Sequence, residues 1–248
     1  MIEGTRVIDF HGHVGRWDWN GWIDDPRLML RAMDAVGIDV ACVFNIFHPD
    51  GTTGNDQTAR FVALHPSRFI GFAYVSPVLP GPVRELTRAI DELGFSAIKI
   101  YPPYTPWPLN HANWDPVYRF ADERGLSIIA HTDEEERSSP RHLSEIAPCY
   151  PRARFVAAHS GNTPAARAQA IRAAQAYPNV YLGTCSTFRT PGVIEQLVAE
   201  AGADRIVFGT DVGLLDPRCQ LGKIITADIS DDAKRKILGE NARHLLQI

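Results

Sequence analysis

Apolar residues along the chain gather into eight short runs that recur roughly every 30 residues, about the length of a strand-helix repeat. The runs are Val7–Val14, Ile38–Ile46, Phe69–Ser76, Ser96–Tyr101, Ser127–Thr132, Arg154–Ser160, Val180–Ser186 and Arg205–Asp211. Most are almost continuously apolar rather than alternating, which is the pattern of parallel strands covered on both faces. Between them the period changes. In Pro82–Leu93 the residues Val83, Leu86, Ile90 and Leu93 recur at three- and four-residue spacing and form one apolar stripe, as a helix packed on a sheet requires. Asn113–Arg124, Thr163–Ala176 and Gly192–Ala201 read the same way. Stop signals follow at Gly125 and at Tyr177-Pro178. A last helix is expected over Asp231–Leu246, opened by the capping residue Ser230.

Strands alternating with helices predict an α/β fold, a closed (β/α)₈ TIM barrel occupying residues 1–248 as one domain. An open doubly wound sheet is the alternative. The first strand, however, is not followed by a G-x-G-x-x-G turn, so a dinucleotide site has no support.

Composition narrows the function classes. The 248 residues carry a formal net charge of −4, with no Lys/Arg-rich run, so neither nucleic acid nor an anionic membrane is an expected partner. The N-terminal residues lack a basic stretch followed by a long apolar one, and no apolar run is long enough to span a bilayer. Four scattered cysteines, Cys42, Cys149, Cys185 and Cys219, suggest neither a disulfide framework nor a thiolate zinc site. A cytoplasmic enzyme acting on a small-molecule substrate is the expectation, with homo-oligomerisation left open.

The chemistry concentrates at strand ends. Asp9-Phe10-His11-Gly12-His13 closes the first run. Side chains two apart on a strand point the same way, so His11 and His13 project together, about 6.5 Å apart at their backbones. Two neutral imidazoles so placed can converge on one ion at about 2.1 Å each. Asp9 points the same way one pleat deeper, where it could orient a ligand histidine, and Gly12 leaves room between the two. His131 ends the fifth run, His159 sits near the end of the sixth and Asp211 ends the eighth. Four strands thus deliver metal-competent side chains to the C-terminal rim, where such barrels build their active sites.

This constellation resembles the amidohydrolase superfamily, and within it the amidohydrolase-2 group of small metal-dependent hydrolases and decarboxylases. The resemblance runs from Val7 to Leu246 and also takes in Ala97–Pro102, Ile129–Thr132, Ala158–Gly161, Phe208–Asp211 and the closing Glu240–Leu246. It implies a divalent metal held by His11, His13, His131 and Asp211. Zinc is the first expectation, with manganese and iron as alternatives. Asp211 would also exchange a proton with bound water, and His159 would polarise the substrate.

Lys99 lies between Ile98 and Ile100 in the fourth run and is expected to face the barrel interior. Three readings stay open: an anchor for a substrate carboxylate, a carboxylated lysine bridging a second metal, or an ion pair with Asp9 or another inward acid. Tyr101 and the loop residues Trp17 and Arg189 are further candidates for contact with substrate, the tryptophan as an apolar wall and the guanidinium as a carboxylate anchor. The acids of Thr132–Arg137 could attract a second cation, but the run reads first as a solvated helix start; Cys185 could approach the pocket from strand 7 and reads as a buried inert thiol rather than a nucleophile.

Three functions compete. Hydrolysis of a lactone, amide or cyclic amide by metal-activated water is ranked first. Non-oxidative decarboxylation or hydration of a small aromatic or unsaturated acid comes second, because the same ligands serve both. A non-catalytic metal-binding barrel comes third.

Overall fold

The computed structural model describes residues 4–15, 25–48, 50–186 and 190–248. Eight strands form one sheet in sequence order, every neighbouring pair parallel. They are β1 (Ile8–His13), β2 (Val40–Phe44), β3 (Phe69–Tyr74), β4 (Ala97–Ile100), β5 (Ser127–His131), β6 (Arg154–Ala158), β7 (Val180–Gly183) and β8 (Ile206–Val207). All eight fall inside the apolar runs of the sequence. The helices that follow them are α1 (Pro26–Asp34), α2 (Gly51–Leu64), α3 (Pro82–Asp91), α4 (Asp115–Arg124), α5 (Leu143–Ile146), α6 (Pro164–Ala176), α7 (Val193–Ala201), α8 (Pro217–Ile225), α9 (Asp231–Arg235) and α10 (Asn241–Leu246).

Two apolar layers hold this arrangement. Inward residues such as Phe10, Phe44, Phe72, Ile129 and Val156 pack inside the barrel, while Met33, Val43, Ile98, Phe155 and Leu197 pack between strands and helices. Because both faces are covered, the strands read as continuous apolar runs.

β8 is shorter than its apolar run. Its ladder ends because the Phe208 N–H donates to the Ile237 carbonyl at 2.9 Å instead of to a strand. That same carbonyl lies in the turn Lys236–Glu240, where the expected C-terminal helix widens to π spacing between α9 and α10. Beyond β8 the chain closes the barrel against β1. Phe10 N donates to Phe208 O at 2.9 Å, Asp211 N to His11 O at 2.8 Å and His13 N to Val212 O at 2.7 Å. Gly12 sits at this seam. A Cβ there would meet Val212 Cγ1 at 3.0 Å and the Cys42 carbonyl at 3.1 Å. The glycine therefore lets β1, β2 and β8 approach one another, rather than making room between the histidines as the sequence reading expected.

Four helices go beyond those singled out in the sequence: α1, α2, α5 and α8. All but the single-turn α5 open on an aspartate cap. Asp25 accepts from Arg27 N, Asp50 from Thr52 N and Thr53 N, and Asp216 from Arg218 N. In α1 and α8 a proline follows at the first helical position, where its fixed φ suits the helix and its missing N–H costs nothing. Among the described residues no helix is long and apolar enough to cross a membrane, and all four cysteines are free.

Candidate active site

The side chains at the C-terminal rim meet in a cavity of about 170 Å³ lined by His11, His13, Ile46, Phe47, Lys99, Tyr101, Tyr104, His131, His159, Asn162, Asp211 and Leu214. His11 and His13 both turn inward from β1, with their Nε2 atoms 3.3 Å apart. Asp211 Oδ1 lies 3.1 Å from His11 Nε2 and 3.0 Å from His13 Nε2. Donor atoms about 2.1 Å from one ion stand ~3.0 Å apart at right angles and ~3.4 Å apart in a tetrahedron. The observed spacing lies in that interval, and the three groups are almost fully buried. Two imidazole nitrogens and one carboxylate oxygen aimed at a common point are the donor chemistry a divalent cation takes, so the residues fit such an ion.

Backbone geometry sets these positions. Asp211 has φ 63°, and after β6 His159, Ser160 and Asn162 have φ 65°, 45° and 62°. Non-glycine residues in this region cost energy and persist where surrounding structure holds them. Here the turn after β6 is held by Ser160 Oγ donating to the Gly183 carbonyl at 2.8 Å and by Thr132 Oγ1 donating to the Ala158 carbonyl at 2.5 Å. The turn at Asp211 is held by Asp9. Its carboxylate accepts from His11 N at 3.0 Å, from Thr210 N at 2.9 Å and from the Thr210 hydroxyl. Asp9 therefore clamps the backbone beside two ligands rather than a histidine ring. Burial pushes its carboxyl up to about 7, against the lowering effect of those hydrogen bonds.

His11 is held from both sides. Cys185 Sγ lies 2.9 Å from its Nδ1, and Lys99 Nζ lies 3.5 Å from its Nε2. With the Nδ1 proton directed at sulfur, the lone pair of Nε2 faces Asp211. Burial lowers the pKa of His11 well below the usual imidazole value and lowers that of His13, so both stay neutral and able to donate electron pairs. Burial also brings His159 down to about 3. For Asp211, burial alone would raise the carboxyl. The neighbouring rings of His11, His159 and His13 outweigh it and hold Asp211 well below the carboxylate range. The thiol of Cys185 is pushed up by burial and stays protonated.

His131, expected from the resemblance as a metal ligand, stands one imidazole away from the cluster. Its Nδ1 is 3.0 Å from His159 Nε2, and its Nε2 is 2.9 Å from Asp133 Oδ2. The ring of His159 occupies the space between, with Nδ1 donating to the Cys185 carbonyl at 2.9 Å and 3.7 Å from Asp211 Oδ2. Asp133 thus has a partner at the cavity rim, whereas its acidic neighbours pair at the surface, Glu135 with Arg137 and Glu136 with Arg141.

Lys99 is buried and faces inward as expected, 4.6 Å from the Phe44 ring centroid. The ion pair with Asp9 does not form, because the Asp9 oxygens are taken by backbone and hydroxyl donors. Burial lowers the lysine to about 8, partly offset by the charge of Asp211. Tyr101 lines the cavity at 4.6 Å from the ring of His131 and 4.5 Å from that of Tyr104. Trp107, in the same loop as Tyr104, stacks on His111 instead. Trp17 and Arg189 lie outside the described residues.

Cys185 is the buried, protonated thiol the sequence suggests, but its contact with His11 could not be read there, since nothing in the sequence tells which side chain a strand-7 thiol meets. Asn162 and Leu214 line the cavity without a signal in the sequence. Phe47 was not singled out. It is seated by its N–H donating to Asn45 Oδ1 at 2.9 Å, and its ring lies 5.3 Å from that of His13. The Asn45 signal is a local side-chain-to-backbone turn of the kind asparagine favours.

Comparison with known proteins places this geometry. Residues 8–248 match the family model Amidohydro_2, described as amidohydrolase. Among solved structures, the chain is similar to 5-carboxyvanillate decarboxylase from Sphingomonas paucimobilis, with a TM-score of 0.79 and 17% identity over 99% of this chain and 100% of that one. The 5-carboxyvanillate decarboxylase from Novosphingobium aromaticivorans, solved with manganese and 3-methoxy-4-hydroxy-5-nitrobenzoic acid, gives a TM-score of 0.82 at 18% identity over 99% of this chain and 98% of that one. A 2,6-dihydroxybenzoate decarboxylase from Rhizobium gives 0.77 at 18% identity over 98% and 99%. At these identities the likeness is one of fold.

Proposed function

The chain belongs to the Amidohydro_2 family of amidohydrolases, and from that premise we propose that it is a metal-dependent, non-oxidative decarboxylase of small hydroxylated benzoic acids. The observation that carries the reading is the cavity itself. At about 170 Å³ it matches the space of one aromatic ring, since a dry cavity of ~150 Å³ holds benzene. One wall carries the Lys99 ammonium beside the ligand groups of His11, His13 and Asp211, while Ile46, Phe47, Tyr101, Tyr104 and Leu214 supply apolar and aromatic surface. Such a cavity suits a planar acid whose carboxylate faces the charged wall. The sequence reading ranked hydrolysis first; the decarboxylases among similar folds support the second reading instead.

His11, His13 and Asp211 would hold the ion, and manganese, found in one of these neighbours, is the metal we propose. When bound, it supplies a positive charge that orients and polarises substrate oxygens. Lys99 binds the carboxylate. Asp211 presents Oδ2 to the cavity, because Oδ1 is committed to the histidines. Oδ2 takes the proton of a ring hydroxyl next to the carboxylate and returns it to the ring carbon that bears that carboxylate. The bond from that carbon to the carboxylate then breaks. CO₂ leaves, its bonding electron pair stays with the ring, and the product departs as a phenoxide with a new C–H bond. His159, neutral and 3.7 Å from Oδ2, keeps the carboxylate aimed and excludes water.

The test is a panel of mono- and dihydroxybenzoates incubated with manganese-loaded protein, with released CO₂ measured beside a panel of lactones, esters and amides. CO₂ release without hydrolysis is expected. Lactone or amide turnover with no CO₂ from any benzoate would return the assignment to hydrolysis.

A further inference from the structure

A second cavity, of about 400 Å³, adjoins the first and shares Ile46, Phe47 and Tyr104 with it. Its other walls are His48, Tyr74, Ser76, Val78 and Leu79, from the segments that follow β2 and β3. The walls are fixed from behind. Asn55 on α2 accepts from Tyr74 N at 2.9 Å and donates to the Tyr74 carbonyl at 3.0 Å, and Leu79 N donates to the Ser76 carbonyl at 3.1 Å. At the floor, Ser76 is only 3% exposed, and among the described residues its hydroxyl has no hydrogen-bond partner. A buried hydroxyl without a partner is uncommon and costs energy until something satisfies it.

The catalytic cavity is filled by one ring. Among the described residues the adjoining space has no charged side chain; its walls are aromatic and aliphatic, and it opens to solvent beside Val78 and Tyr104, which are 47% and 49% exposed. We infer that this second cavity is a substrate subsite for an aryl-sized apolar substituent on the benzoic acid, with Ser76 Oγ as hydrogen-bond partner for a polar group at the far end of that substituent. The inference rests on the proposed function and narrows its substrate class from one-ring acids to aryl-substituted ones. Phe47 and Tyr104 form the partition between the ring that reacts and the ring that anchors.

Calorimetric titration of manganese-loaded protein tests this without turnover. The ligands are 2-hydroxybenzoate and its analogues carrying phenyl at ring carbon 4 or 5. Burying a phenyl group against these walls should tighten binding of at least one analogue by about tenfold, after discounting transfer energy for the cost of ordering. Ser76→Phe fills the floor and should abolish that gain while leaving 2-hydroxybenzoate binding unchanged. Val78→Trp, at the exposed mouth, should do the same in a protein whose core is untouched. Equal affinities for all three acids, or a phenyl gain that survives Val78→Trp, would overturn the subsite. If the phenyl gain behaves as expected but no CO₂ is released, the decarboxylase reading fails and the subsite stands. If the one-ring acid releases CO₂ without any phenyl gain, the reverse holds. Failure of every acid to bind removes both.

Discussion

Replacing Thr210 with valine would cut the clamp that joins the two halves of the ligand set. The Thr210 hydroxyl donates to Asp9 and accepts from Val212 N at 3.0 Å, in a fully buried position. A hydrogen bond to a charged group is worth ~1.5–3 kcal/mol, and a buried N–H left without an acceptor costs ~1–3 kcal/mol. Valine returns ~0.8 kcal/mol through the added methyl. The net loss is about 3 kcal/mol, or roughly 6–12 °C in melting temperature for a chain of this size. Thr210→Ser keeps both bonds and loses one methyl, so ~1 kcal/mol and roughly 2–4 °C are expected. Because the clamp fixes the backbone of His11 and the residue before Asp211, valine should also weaken metal retention by ~10–100-fold, as loss of outer partners does in metal sites. Thermal unfolding followed by circular dichroism, together with competition against a chelator, reads both effects. Valine melting within ~2 °C of wild type, or serine as damaging as valine, would refute the clamp.

Three further outcomes follow from the same geometry. Asp211→Asn should fold normally and lose most CO₂ release, because the amide carries no exchangeable carboxylate proton; wild-type turnover in that variant would remove Asp211 from the chemistry. Cys185→Ser should retain metal and fold, whereas Cys185→Ala should weaken retention several-fold because His11 Nδ1 loses its partner; indistinguishable affinities in the two variants would show that sulfur does not orient the ring. Glu85 accepts from Asn55, Thr52 and Arg88 and ties α2 to α3, and despite burial these partners hold its carboxyl below the glutamate range. The stability it adds is therefore complete above the unfolded pKa of about 4.3 and is lost as pH falls through the lower folded value. Glu85→Gln should melt lower at neutral pH, with the gap closing in acid, and a gap that stays constant to pH 3 would contradict the assignment.

The barrel was legible because parallel strands buried on both faces cannot hide: each appears as an apolar run, and eight runs at one repeat length leave few topologies. Strand ends were less secure. β8 stops at Val207 because Ile237, some 30 residues onward, captures the next N–H, and no local pattern announces that. The aspartate-proline openings of α1 and α8 were readable in principle, and so was the apolar stripe of α1, which buries Met29 and Met33; only in α8 is the stripe weak. Within the site, His11 and His13 were found because two-residue spacing on β1 fixes their direction, and Asp211 because it closes the eighth apolar run, although the turn with φ 63° that aims it lies beyond β8. The placement of His131 depends on the ring of His159 beside it, and the contact of Cys185 with His11 depends on barrel closure. Both are distances across the barrel, which spacing along a chain does not encode.

The central claim is that His11 Nε2, His13 Nε2 and Asp211 Oδ1 share one ion. Anomalous diffraction from crystals grown with manganese tests it directly. One peak should lie about 2.0–2.3 Å from all three atoms. A peak instead among His11, His159 and Cys185, or full manganese loading with no peak at the barrel mouth, would contradict the account.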